Sequence, residues 1–156
     1  MPPEPGSTDP GGSRLSSPAG PGRLVVHVDG GARGNPGPAA VGAVVTDQDG
    51  GVLLEEGRFI GHATNNVAEY RAVQLGLELA SSLGGREVEV VNDSELVARQ
   101  IGGQYKVKNA ALRPLFAETM EALRGFDAWK VRNVRREANE RADELVNEAL
   151  DAALRR

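Results

Sequence analysis

Four carboxylates carry the chemistry this chain could do. Asp29 closes the apolar run LVVHVD, Glu69 lies in TNNVAEYRA, Asp93 in VEVVNDSELV and Asp143 in NERADELVNEA. Carboxylate oxygens are hard donors that suit Mg²⁺, an ion that keeps part of its water shell. Two such ions about 3.5–4 Å apart can activate a water and stabilise a departing oxygen in phosphodiester hydrolysis. Each acid alone has a plainer reading, a solvated charge or an acid near a helix start. For Glu69 by itself that reading is preferred; for Asp29, at the end of an apolar strand, it is less comfortable. As a set, the four read as a divalent-metal cage. Other chemistries are poorly supplied. The chain has no Cys, which excludes disulfides, thiolate metal sites and thiol nucleophiles. Its two histidines, His27 and His62, stand 35 positions apart and do not make a zinc site. His27 reads as a packed strand residue, His62 as a local hydrogen-bonding residue, and Trp129 as a side chain half-buried against the terminal helix.

Acids this far apart in sequence meet only if the fold gathers them. In the first strand, which starts at Arg23 and reaches Asp29, Leu24, Val26 and Val28 share one face while Val25, His27 and Asp29 share the other. GGARGNPGP, from Gly30 on, reads as a loop. A second strand fits Ala40 to Thr46 and a third Val52 to Gly61, joined by a turn carrying Asp49-Gly50. Thr64 and Asn66 are candidate caps for a helix in which Ala68, Ala72, Leu75 and Leu79 recur at helical spacing, and which stops at Gly84-Gly85. A strand over Glu87 to Asn92, helices over Ser94 to Ile101 and Ala110 to Leu123, a strand over Ala128 to Val134 and a helix from near Asn139 to Leu154 complete the order. This β-β-β-α-β-α-α-β-α succession predicts an α/β fold with a mixed five-stranded sheet. Its first strands are antiparallel, its later ones parallel, and helices cover both faces.

The 156 residues, 40% hydrophobic and 26% charged, suit one domain, taken as residues 23–156. The Pro-, Gly- and Ser-rich stretch Met1 to Gly22 cannot bury enough apolar surface to offset chain entropy and reads as a disordered tail. A net charge of −4 and a pI of about 5.3 argue against a bulk electrostatic binder of nucleic acid. They do not exclude a nuclease, whose acids would be offset by bound cations. No apolar run approaches the ~20 residues of a membrane span, and no secretory signal opens the chain. A monomer in the cytoplasm, without a membrane partner, is the expectation.

In DGGARGNPGPA, TNNVAEYRA, NDSELV and NERADELVNEA, taken together and in order, the chain resembles type 1 ribonuclease H over about Arg23 to Leu154. The resemblance implies a ribonuclease H-like fold and hydrolysis of the RNA strand of RNA–DNA hybrids. It implies two Mg²⁺ ions, with Mn²⁺ as a substitute, and 5′-phosphate and 3′-hydroxyl ends. Asp29 would bridge both ions, with Glu69, Asp93 and Asp143 completing the cage. Asn35, Asn65 and Asn66 would contact the minor groove, where the 2′-hydroxyl marks RNA, and Thr64 would help hold a phosphate of the DNA strand. Gly30 opens a loop that offers backbone donors and acceptors to substrate, and Ser94 either binds a phosphate or caps a short helix. Asn66 has the alternative of a cap and Asn35 of a turn residue.

Two departures stand out. A Lys/Trp-rich insertion common in bacterial members is reduced to IGGQYKVKN, leaving Lys106 and Lys108. The loop before the last helix, VRREANERAD, lacks the family's His; Arg136 is the nearest cationic replacement, with a surface pairing to Glu137 or Glu140 as its alternative. The pattern is that of the handle-less branch found in archaea and some bacteria. Three other readings remain: a relative with the same sheet, such as an integrase or exonuclease; a non-catalytic module binding hybrids or double-stranded RNA; and a fragment of a larger enzyme, such as a fusion to a phosphatase or a polymerase. Whether RNA–RNA duplexes are also cut is left open by the sequence.

Overall fold

The computed structural model describes residues 22–155. The stretch read as a tail lies outside the described residues apart from Gly22, whose carbonyl accepts from the Arg86 and Glu87 amides. Strands β1 (Arg23–Ala32), β2 (Gly37–Thr46) and β3 (Val52–Ala63) form an antiparallel meander. Strand β4 (Glu87–Asn92) pairs in parallel with β1, and β5 (Ala128–Asn133) in parallel with β4, giving the order β3-β2-β1-β4-β5. Parallel neighbours need crossovers. Helix α1 (Asn65–Ser82) supplies the first, and α2 (Glu95–Ile101) with α3 (Arg113–Arg124) the second. A 3₁₀ turn (Arg136–Asn139) leads into α4 (Glu140–Leu154).

The alternation predicted for β1 divides the molecule into two layers around the sheet. Leu24, Val26 and Val28 join Val41, Ala43 and Val45 of β2 and Tyr70, Val73 and Leu77 of α1 in the main core, to which α2 and α3 add Val97, Ile101, Leu115 and Leu123. On the other face, α4 closes a smaller cluster of Ala40, Val146 and Leu150. Among the described residues, no helix is long and apolar enough to cross a membrane.

Several boundaries differ from the sequence reading, β2 among them, which starts at Gly37 rather than Ala40. The glycine-rich stretch after Asp29 is mostly strand: Gly30, Gly31 and Ala32 pair with Val41, Ala40 and Ala39. Glycine there leaves the backbone free to pair, and the turn is confined to residues 33–36, where Gly34 adopts φ +89°. Strand β3 continues past Gly61 to Ala63, because Gly61, at φ +87°, takes up a register shift against β2. Helix α3 starts at Arg113 rather than Ala110, with Pro114 in its first turn, where a missing amide costs nothing.

Candidate metal and nucleic-acid site

Asp29 stands where β1 outruns its parallel neighbour. Pairing with β4 ends at His27 and Val91, whereas pairing with β2 continues through Asp29 and Gly42. Asp93 follows directly on β4. The side chain of Glu69 must come from a helix, and Gly30 permits this. A Cβ on Gly30 would lie 2.1 Å from the Ala68 carbonyl oxygen, so strand and helix backbones touch, and the Gly30 amide donates to Glu69 Oε1 at 3.3 Å. Asp143 arrives on the opposite face by the same device. A Cβ on Gly42 would lie 2.5 Å from the Ala142 oxygen, and one on Gly57, the partner of Gly42 in β3, 2.6 Å from the Leu145 oxygen. Helix α4 thus rests on bare backbone beside Asp29.

These approaches bring one oxygen each of Asp29, Glu69 and Asp93 within 4.8 Å of one another. Asp143 lies outside that trio but within side-chain hydrogen-bonding reach of Asp29. Asp29 is only 7% exposed. Burial, then the negative charges of Glu69, Asp93 and Asp143, hold its carboxyl far above the usual carboxylate range. Burial and Asp93 push Glu69 up to about 8, against the opposing pull of the Gly30 amide and Arg136. The all-oxygen donor set and its crowded negative charge fit a hard divalent cation such as Mg²⁺ or Mn²⁺. Arg136, largely exposed, places Nε 3.8 Å from Asp93 Oδ2, so its partner is a cage acid rather than Glu137 or Glu140.

The polar residues divide by what they hold. Asn35 Oδ1 accepts from the Asn65 amide at 2.9 Å, and Asn65 Oδ1 accepts from the Ala32 amide at 2.9 Å, which latches the β1–β2 turn to the start of α1. Thr64 caps α1 by accepting from the Val67 amide, and Ser94 caps α2 by accepting from the Val97 amide. Asn66 is exposed and does not act as the cap. Gly30, read as a loop residue offering its backbone to substrate, is instead a strand residue whose amide is engaged by Glu69. Lys106 and Lys108 are exposed on a segment tied back by Gln100 Nε2 to the Lys106 carbonyl and by Arg113 Nε to the Val107 carbonyl. Trp129 packs on the α1 side of the sheet, not against the terminal helix. His27 is part-buried, and burial followed by Arg132 lowers its pKa.

Sequence reasoning missed three buried amides, Asn92, Gln100 and Asn139. In the sequence Asn139 marks only a helix start, yet its side chain makes no cap and donates to the Val28 carbonyl at 2.7 Å. An Asn before a helix looks the same in sequence whichever way its amide turns.

A family model described as reverse transcriptase-like matches residues 27–149. A ribonuclease H from Hydrogenovibrio crunogenus is 34% identical, over 81% of this chain and 94% of its own length. The chain belongs to the ribonuclease H family. Ribonuclease HI of Halobacterium salinarum is 48% identical over 85% of this chain and 66% of its own length. The chain thus spans about two thirds of that ribonuclease H relative, and about a third of mycobacterial relatives such as the bifunctional protein Rv2228c (36%). The LC11 ribonuclease H1 solved in complex with an RNA/DNA hybrid superposes with a TM-score of 0.81 at 46% identity, over 84% of this chain and 99% of that one. The mixed sheet and its strand order are those of the ribonuclease H fold.

Proposed function

We propose that this protein is a metal-dependent endoribonuclease that hydrolyses the RNA strand of RNA–DNA hybrids, leaving 5′-phosphate and 3′-hydroxyl ends. The observation that carries the reading is the convergence of Asp29, Glu69 and Asp93 within 4.8 Å at the open end of the central strand. The hybrid bound by the LC11 relative supports the substrate.

Asp29, Glu69, Asp93 and Asp143 would hold two divalent ions, Mg²⁺ or Mn²⁺. When bound, these supply Lewis acidity and charge neutralisation for phosphodiester hydrolysis. The chain's own residues do the rest. Gly30 orients Glu69 through its amide. Arg136 offers a permanent positive charge near the scissile phosphate; it stays protonated and so is no general acid or base. Asn35 and Asn65, fixed by their mutual latch, would present amide donors to the minor groove, with Asn66 beside them. Thr64, at the helix N-terminus it caps, would contact a DNA-strand phosphate. Ser94 has its hydroxyl in the α2 cap, which supports a positioning role for Asp93 over direct phosphate binding. The proposal includes a monomer acting in the cytoplasm on R-loops and RNA primers.

Cleavage of an end-labelled RNA–DNA hybrid, beside RNA–RNA and DNA–DNA duplexes, in Mg²⁺, Mn²⁺ and EDTA tests this. The expected result is metal-dependent cutting of the hybrid's RNA strand. Cutting of RNA–RNA as well would widen the substrate class, and tight hybrid binding without cutting in either metal would replace the enzyme by a binding module.

A further inference from the structure

We infer that Asn139 is a positioning residue that sets Asp143 against Asp29. The inference rests on the metal-dependent reading above. Asn139 ends the 3₁₀ turn, immediately before α4, and Asp143 follows four residues later in the first turn of that helix. Asparagine at such a place ordinarily turns its side chain onto its own helix, satisfying an otherwise unpaired amide. Here it does not: the side chain makes no cap bond. Its Nδ2 instead donates, at 2.7 Å, to the carbonyl of Val28, the residue before Asp29. At that point β1 has already run past its pairing with β4, which ends at His27. Among the described residues this is the only hydrogen bond between β1 and the turn leading into α4.

The cost of the arrangement shows that it is specific. Asn139 is 2% exposed, and its Oδ1 is buried with no hydrogen-bond partner. The rest of the α4 seat holds the helix at other points, through Gly42 and Gly57, the packing of Val146 and Leu150 on Ala40, and the Arg141–Glu55 and Arg33–Asp151 pairs. The Asn139 bond adds a tie directly beside the two acids. It links the Asp29 and Asp143 carboxylates by a short path: Asp29, Val28 carbonyl, Asn139 side chain, first turn of α4.

The test is Mn²⁺ binding by calorimetry on the full chain without nucleic acid, together with hybrid cleavage at limiting and at high Mn²⁺. Asn139→Ala should weaken Mn²⁺ binding by about tenfold or more, the scale seen when residues supporting metal ligands are lost. Cleavage at limiting Mn²⁺ should fall in parallel and recover at high Mn²⁺, with KM for the hybrid unchanged. Leu150→Ala, on the same helix but in the distal cluster, is the control for lost stability. It should lower the melting temperature without moving the Mn²⁺ affinity. If alanine at 139 prevents folding, Asn139→Leu, close in shape but with neither donor nor charge, takes its place and should show the same loss. Unchanged Mn²⁺ affinity in the Asn139 variant, or an equal loss in Leu150→Ala, would overturn the inference. A parent protein that binds no Mn²⁺ would instead sink the metal-dependent reading, and this role with it.

Discussion

At the scale of single residues, the site is a set of charges that the fold forces together before any cation arrives. Glu69 keeps its proton up to about pH 8, and Asp29 is shifted in the same direction. In the unfolded chain both release theirs near pH ~4. Between those limits the folded state binds more protons than the unfolded one, so the stability these groups give is fully present at low pH and lost as pH rises toward 8. In EDTA the melting temperature should therefore fall between pH ~6 and pH ~8.5 from this source, and Mg²⁺ should restore more at the higher pH. Melting curves in a pH series show it, and a flat series would refute it. Asp29→Asn removes, at constant shape, a carboxyl that must take up a proton to be buried at neutral pH without metal. It should leave the melting temperature in EDTA at neutral pH equal or higher. It should also slow cleavage by a factor of about a thousand or more, since several kcal/mol of charge stabilisation is lost. Retained activity in Asp29→Asn would exclude this carboxylate from the cage. Asp29 was legible in the sequence because packing alone seldom puts an ionisable group at the close of an apolar strand; Glu69, inside a helix, was legible only as part of the set of four motifs. The direction of the Asn139 amide was not, because a capping and a non-capping asparagine have the same letter.

At the scale of elements, the distances in the site are set by glycines that let helices touch strands. Gly42 is the register partner of Asp29, and α4 covers it so closely that a methyl group would meet the Ala142 oxygen and, at 2.9 Å, Leu145 Cβ. Gly42→Ala should destabilise by about 1–3 kcal/mol, lowering the melting temperature by roughly 5–10 °C. It should also depress cleavage at limiting metal more than at saturating metal, because Asp143 moves with the helix. Thermal melts and a Mg²⁺ titration of activity decide this; a variant with parental values would mean that α4 is not held at this point. The element order, and a mixed sheet with its later strands parallel, were readable from hydrophobic period and loop length; that β4 lies beside β1 was not. Nor was the true extent of β1. In a run such as GGARGNPGP, glycine signals a turn whether the backbone bends or pairs, and only the partner strand, small at Ala39 and Ala40, decides which.

At the scale of the whole molecule, a net charge of −4 leaves affinity for a polyanion to local cations. Lys106 and Lys108, exposed on their tethered segment, are the clearest of these. Replacing both by Ala should weaken hybrid binding and flatten the dependence of log K on log salt by up to about 1.8, two phosphate contacts' worth, while kcat at saturating substrate stays put. An unchanged salt slope would place the duplex elsewhere. On the proposed function, the latch that holds Asn35 and Asn65 has a consequence for what this surface can tell apart. Both carbonyl oxygens are turned inward, toward amides of the protein. With each oxygen already engaged on the protein side, what each exposed carboxamide chiefly turns outward is its NH₂ group, which can only donate. A reader made of donors finds acceptors in the minor groove of every base pair, and the one group that answers it with another donor is the amino group of guanine. Such a surface is indifferent to most sequence and averse to a single atom cluster. Cleavage along a mixed-sequence hybrid should thin out where guanine meets these two side chains, and fill in again when inosine, which lacks that amino group, takes its place.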